Sequence, residues 1–342
     1  MRDTGIEWTD ATWNPVRGCS RISDGCRHCY AERQAARIVR MGKGKPTPYD
    51  GLVELVGGEP RWTGEVAIDA ARLSAPLRWR DPRKVFVDSM SDLFFDRRPN
   101  EHIAAVFGVM AATPHITYQI LTKYVQRMRE WFLWTAKIGR STDTYDCTFF
   151  NHMASKHGVT GAAWERRCEA TEDLHSPWPL PNVWLGVSVE NQDAADERIP
   201  DLLATPAAVR LLSCEPLLGE VSLFAFLDGD LRNECLEKLG GSRHTPSIDW
   251  VIAGCESGPG ARPCAKAWLL SLRDQCAEAE VPFFLKQAHP STWVSGEKAP
   301  GHDADDGRGM VSAGPGSHRK RGGIIGLPYL DGVQHTAFPE PR

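Results

Sequence analysis

Val183-Trp-Leu-Gly-Val-Ser-Val-Glu-Asn191 is the stretch whose reading decides the fold. It is short and mainly apolar, and it closes on the polar residues Ser188, Glu190 and Asn191, which reads as a covered strand ending at a loop. A helical segment from Gln192 to Leu203 follows, and then a second strand from Val209 to Ser213. Working outward, the same unit recurs on both sides. Val85 to Val87 and Ile116 to Leu121 precede it as strands, and Trp250 to Ala253 and Phe283 to Leu285 follow it. Asn100 is placed to cap a helix on which Ile103, Val106, Phe107 and Met110 recur at three and four residues, until Pro114 stops it. Further helices are expected from about Val125 and over Ala265 to Glu280. Near the start, an extended stretch from Ile6 to Trp13 leads through a cysteine loop to a helix over Tyr30 to Val39, with Ala31, Ala35 and Ile38 on one face. Six or seven such units predict an α/β fold, a partial or complete parallel (β/α) barrel.

The expected domain runs from residue 1 to 294, with insertions at about 139–181 and 221–247 where the alternation fails. The first is read as an inserted subdomain or lid. Gly42 to Gly64, dense in Gly and Pro, is a connection whose shape the pattern leaves open. Residues 295–342 form a C-terminal extension rich in Gly, Pro and charge, expected to be partly disordered around Gly301 to Gly323.

At 342 residues and 42% apolar content the chain can bury a large core. No apolar run approaches the length of a bilayer span, and the N-terminus lacks the layout of a signal peptide, so the expectation is a cytoplasmic protein with no membrane partner. Ten cysteines in such a chain point to metal or catalysis before disulfides. The formal net charge of -4 offers no global attraction for phosphates, so nucleic acid would need a local basic patch. Arg78-Trp-Arg-Asp-Pro-Arg-Lys84 and His318-Arg-Lys-Arg321 are short candidates, each also readable as solvated surface.

Three of the cysteines, Cys19, Cys26 and Cys29, share one loop with ligand spacing, and no fourth follows nearby. Thiolates suit iron–sulfur clusters and zinc. On a 4Fe-4S cluster, three thiolates leave one iron free for a small molecule. For zinc a fourth ligand is needed, with His28, His152, His157, His175, Cys147 or Cys168 as candidates.

The strands end in Asp88-Ser89 with Ser91-Asp92, Thr122-Lys123, Ser188-Glu190-Asn191, Ser213-Glu215, Gly254-Glu256-Ser257 and Lys286-Gln287. In barrels the working residues sit at such ends, although helix caps use the same residue types. The glycines of Gly254-Cys-Glu-Ser-Gly-Pro-Gly260 suit a tight polar turn, with Arg262 beside it to hold an anion. Trp8, Trp13 and Tyr30 either wall the cysteine loop or pack as plain core.

The three-cysteine loop after an N-terminal strand resembles the radical S-adenosylmethionine (SAM) superfamily. More closely, Thr4-Gly-Ile-Glu-Trp-Thr-Asp-Ala-Thr-Trp-Asn-Pro15, Gly18-Cys19, Gly25-Cys26, Cys29-Tyr-Ala-Glu32, Ser89-Met-Ser-Asp-Leu93, Leu121-Thr-Lys123, Trp184 to Asn191, Ser213 to Gly219 and Glu256 to Pro263 resemble a phage and prophage family. That family bears the labels gene product thirty-seven and sixty-eight, the three-Cys-motif proteins. The sequence departs from the superfamily's commonest pattern in having six residues, not three, between the first two cysteines, and His28 where an aromatic residue usually precedes the last. The resemblance implies that Cys19, Cys26 and Cys29 hold a 4Fe-4S cluster and that an electron donor reduces it. SAM would then be cleaved to a 5'-deoxyadenosyl radical that takes a hydrogen atom from substrate. By the same resemblance Ser89, Ser91 and Asp92 would receive the SAM ammonium, Ser188, Glu190 and Asn191 its ribose, and Ser213 and Glu215 its methionyl or adenine part. The phage context favours nucleic acid or a nucleotide as substrate, in DNA modification or repair. The competing expectation is a phage or defence binding protein, stabilised by zinc or an iron–sulfur cluster, that performs no turnover.

Overall fold

The computed structural model describes residues 4–138, 144–145, 147–172, 176–227, 247–258, 260–288, 318–319, 325–326, 328–330 and 333–339. The main elements in chain order are β1 Ala11–Trp13, α1 Tyr30–Gly42, β2 Arg83–Val87, α2 Asn100–Ala111, β3 Ile116–Thr122, α3 Val125–Ile138, α4 Cys147–Lys156 and α5 Ala162–Glu172. They continue with β4 Val183–Ser188, α6 Gln192–Leu203, β5 Val209–Cys214, β6 Trp250–Gly254, α7 Lys266–Glu278 and β7 Phe283–Ala288. In the main sheet these strands lie side by side in the order of the chain, β1 to β7, followed by the short antiparallel strands Ile325–Gly326 and His318–Arg319. Chain order without reversal is the winding of a parallel barrel, not of a doubly wound sheet with a switch point. The fold is therefore α/β with a partial parallel barrel, as the repeated units predict.

The chain comprises two compact units. The first holds Met1–Thr4, Thr9–Leu185 and Thr205–Ala208, and the second Gly5–Trp8, Gly186–Ala204 and Val209–Arg342.

In the first unit β1 pairs in parallel with β2, and β2 with β3. Helix α2 is buried from Ile103 through Ala111, as an all-round apolar helix must be. Its Phe107 meets Trp131 of α3 at 4.5 Å between ring centroids, and Phe132, Phe150 and Trp178 complete the cluster. Phe150 belongs to the first insertion. A Cβ on Gly108 would lie 2.5 Å from the Phe150 carbonyl oxygen, so the glycine lets α4 press directly onto α2. The described part of that insertion is thus built into the core.

Two local expectations are corrected. Asn100 does not cap α2; Pro99 holds the cap position without a side-chain bond, because the Asn100 carboxamide oxygen accepts from Arg127 at 2.5 Å. Helix α1 runs past Val39 to Gly42 and stops at Lys43, which adopts a left-handed φ of 50°. The Gly42 to Gly64 connection contains a hairpin, Val53–Val56 against Glu59–Trp62, turned by Gly57 and Gly58 at φ 60° and 84°. Two positive-φ residues give the turn whose twist matches paired strands. Its Trp62 packs with Tyr49, Leu52, Ala31 and Ala35 beneath α1, and Cys19 and Cys29 touch this cluster.

In the second unit β5, β6 and β7 are paired in parallel and lined by buried residues. Trp250 sits among Trp8, Phe284 and Phe338, its indole N–H bonded to the Ala337 carbonyl at 2.8 Å. Trp8 and Trp13 are core residues, both 2% exposed. Of the 221–247 insertion, Phe224–Leu227 forms one helical turn and residues 228–246 lie outside the described residues. Most of Gly301 to Gly323, where disorder is expected, also lies outside them.

Candidate metal centre

The cysteine loop starts at a glycine for a steric reason. Gly18 has φ +92°, and a Cβ there would fall 1.9 Å from the Glu65 carbonyl oxygen. Both facts exclude other residues. From there Cys19 enters the loop, Asp24–Cys26 makes a 3-10 turn closed by Cys26 N–H on the Ser23 carbonyl at 3.0 Å, and Cys29 N–H bonds the Cys26 carbonyl at 3.2 Å. Cys29 is the N-cap residue of α1, and the N–H groups of Ala31 and Glu32 act on its sulfur. A helix N-terminus favours a thiolate. Burial outweighs that effect and raises the Cys29 pKa, with neighbouring Glu32 and Cys26 adding to the rise. Cys19 is raised well above its ordinary value, first by burial, then by the charges of Asp92, Cys26 and Cys29. Each pair within the trio is therefore close enough for one sulfur to feel the other's charge. A bound metal reverses this, because its positive charge deprotonates coordinating thiols outright.

The loop is anchored on all sides within the first unit. Arg21 grips buried Glu32 of α1 through three contacts of 2.5–3.1 Å, and Glu32 also accepts the Trp62 N–H at 3.2 Å. Tyr124, after β3, bonds the Ser20 hydroxyl at 2.9 Å and its carbonyl at 3.0 Å. Arg98, 1% exposed, donates to the carbonyls of Arg17, Gly18 and Asp92 at 3.1–3.4 Å. Burial lowers its pKa, and Asp88, Asp92 and Cys19 oppose that.

Ser89, Ser91 and Asp92 lie beside this loop. Ser89 donates to the Asn14 side chain at 3.3 Å, and Tyr30 donates its phenol to the Ser89 carbonyl. Ser91 donates to the Val16 carbonyl at 3.1 Å. Their hydroxyl protons thus tie the end of β2 to the segment preceding the cysteines. The Asp92 carboxylate accepts from the Thr122 hydroxyl at 2.7 Å and from the Phe94 and Lys123 N–H groups at 3.0 Å. Burial still raises its pKa against those bonds. Asp88 is the most strained neighbour: a non-glycine residue at φ 56°, buried, with its pKa pushed up to about 7 by desolvation. Neither of its oxygens has a hydrogen bond of ordinary geometry among the described residues. Arg98, the Val16 N–H and the Ser91 hydroxyl pull the pKa down, and burial wins.

The other predicted site residues belong to the second unit. Glu190, 1% exposed, is held by Arg198 at 2.8 and 3.3 Å, and Arg198 also donates to the Ser188 carbonyl at 2.8 Å. Asn191 caps α6 through its side-chain oxygen on the Ala194 N–H at 2.9 Å. The buried Ser213 accepts the Val189 N–H on its carbonyl at 2.8 Å. Glu215 receives the Lys286 ammonium on both oxygens at 2.8 Å and the Gln287 amide at 2.9 Å. Glu256 and Arg262 pair at 2.6 Å, so the arginine expected to hold an anion already holds one within its own turn. Three strand-end carboxylates thus carry their own cations.

Sequence reasoning missed Arg98 and Arg198, which organise these two neighbourhoods. Arg98 left no motif, whereas Arg198, eight residues after Glu190 on the first turns of a helix, was a readable spacing. Of the zinc candidates, His157 stands edge-on to His102 at 4.8 Å between centroids, and His175 and the side chain of Cys147 lie outside the described residues. Among the described residues no group of three His, Cys, Asp or Glu is gathered tightly enough for a single ion. Zinc needs that tightness, since its thiolates sit about 2.3 Å from one centre. A four-iron cluster spreads its thiolates over different irons, and the three half-buried thiols of this loop have the chemistry for such a group. Among the described residues no helix is long and apolar enough to cross a membrane.

A family model described as "Protein of unknown function (DUF5131)" matches residues 3–339. No curated protein and no solved structure matches the chain.

Proposed function

The chain belongs to the DUF5131 family, and from that premise we propose that it is a radical SAM-type iron–sulfur enzyme acting on nucleic acid or a nucleotide. The observation that carries this reading is the cysteine loop. Cys19, Cys26 and Cys29 share one loop, with the Cys29 N–H bonded to the Cys26 carbonyl at 3.2 Å and Cys19 and Cys29 packed against the same apolar cluster, and that loop is pinned by Gly18, Arg21, Arg98 and Tyr124. They would hold a 4Fe-4S cluster. When bound, that cluster supplies one-electron cleavage of SAM to a 5'-deoxyadenosyl radical.

The chain's own residues do the remaining work. The N–H groups at the start of α1 offset part of the burial that raises the Cys29 thiol pKa, and the buried Arg98 fixes the carbonyls on which the loop begins. Ser89, Ser91 and Asp92 present oxygens beside the loop that suit a cationic amine, the two serine protons being committed to the Asn14 side chain and the Val16 carbonyl. In the second unit, Glu190, Asn191 and Glu215 are already engaged by Arg198, the Ala194 N–H and Lys286.

The runner-up is a binding protein stapled by zinc or iron–sulfur, and the internal pairing of Glu190, Glu215 and Glu256 favours it. Anaerobic reconstitution with iron and sulfide decides between them. The enzyme reading expects brown protein with charge-transfer absorbance, lost in Cys26→Ala, and 5'-deoxyadenosine on adding SAM and a reductant. About one zinc per chain with no such absorbance would sink it.

A further inference from the structure

Residues 17–45 contain eight Arg and Lys against two carboxylates, inside a chain whose formal net charge is -4. The structure sorts these charges by direction. Arg17 is paired with Asp69, and Arg21 with Glu32. Glu32 is the carboxylate of α1, and it is turned inward. Arg27, Arg37, Arg40, Lys43 and Lys45 are exposed and have no ion pair among the described residues. Asp24, in the cysteine loop, is the exposed carboxylate of this segment.

At 100° per residue, Ala31, Glu32 and Ala35 fall on the buried side of α1, and Tyr30, Arg33, Arg37 and Arg40 on the opposite side. Tyr30 is 54% exposed, and its phenol is tied to the Ser89 carbonyl, which fixes the ring at one end. The outward face of α1 is therefore a cationic stripe starting at a fixed, open aromatic ring directly after Cys29. Helix rise makes the stripe from Tyr30 to Arg40 about 15 Å long, and the exposed cations Arg27, Arg37, Arg40, Lys43 and Lys45 offer up to five phosphate contacts.

We propose that the outer face of α1, with Arg27 before it and Lys43 and Lys45 after it, binds a single strand of nucleic acid, phosphates along the cations and one base stacked on Tyr30. It deepens the substrate side of the function proposed above and rests on that reading only for the chemistry that follows binding. Cations and an aromatic ring are the two parts of a single-strand platform. An acidic protein would use the charge and have no need of the fixed ring.

The test is fluorescence anisotropy of a labelled oligothymidine and of a duplex of equal length, on the anaerobically reconstituted full chain. Five phosphate contacts give a log–log salt slope of about -3.5 on a single strand, so affinity should fall about a hundredfold between about 50 and about 200 mM salt. Arg37→Glu/Arg40→Glu/Lys43→Glu should abolish that binding while circular dichroism stays unchanged. Tyr30→Ala should weaken it about tenfold, and Tyr30→Phe, which keeps the ring but frees it from the Ser89 carbonyl, should weaken it less. Unchanged affinity in the triple variant overturns the proposal. So does tighter binding of the duplex. An oligoglutamate of matched charge that binds as well, with Tyr30→Ala indifferent, assigns the face to an acidic protein and overturns it too. Absorbance of the same sample reports the cluster separately: a colourless protein that binds oligothymidine keeps this inference and defeats the iron–sulfur reading.

Discussion

Asp88→Asn should stabilise this protein at neutral and alkaline pH. Asp88 is buried at a left-handed φ of 56°, and its pKa is pushed up to about 7 by burial, against the pull of Arg98. In the unfolded chain an aspartate titrates near 3.9, so the difference is about 3 pH units, or about 4 kcal/mol. The folded state holds the proton more tightly, so between about pH 4 and about pH 7 it binds more protons than the unfolded state and stability falls as pH rises. Below that window the contribution is fully present; above it the carboxylate is charged, buried and costly. Asparagine copies the shape of the protonated acid, tolerates the left-handed region and cannot ionise. Urea unfolding of both proteins at about pH 5 and about pH 8 is the assay. Asp88→Asn should gain up to about 4 kcal/mol over wild type at the higher pH and much less at the lower. A variant whose stability runs parallel to wild type across that range, or one weakened at the higher pH, would refute the buried-proton account.

Other sites give independent outcomes. Arg198→Met leaves Glu190 buried without its cation and should cost about 3–5 kcal/mol in the same unfolding assay, whereas Glu190→Gln/Arg198→Met should recover much of that loss. Gly18→Ala forces a side chain into the left-handed region and against the Glu65 carbonyl; a loss of more than about 2 kcal/mol is expected, together with reduced iron retention after reconstitution. Asp92→Asn turns one acceptor into a donor facing either the Lys123 N–H or the Thr122 and Phe94 donors. It should cost about 1–3 kcal/mol, and thiol titration should show a lower Cys19 pKa because a raising charge is gone.

Residue order alone was enough for the parallel winding and for the cysteine loop. Each strand is a short apolar run followed by an apolar helix face, and that period survives in one dimension. Cys19, Cys26 and Cys29 are near neighbours in sequence, so one turn and one helix start place them on one loop, although distant residues anchor it. What tertiary structure decided is which polar groups remain available. Glu190, Glu215 and Glu256 look alike at the ends of strands, yet each carries a partner that only packing could select, because pairing depends on side-chain direction across elements. The same holds for charge: an overall balance of -4 hides a cationic face on α1, since Glu32 points inward and its arginine neighbours point out. Gly18 and Arg98 are the clearest case. Gly18 stands in a quoted motif but its need for glycine does not show there, Arg98 has no motif, and both are fixed by atoms more than forty residues away, the Glu65 carbonyl for one and the Arg17 and Gly18 carbonyls for the other.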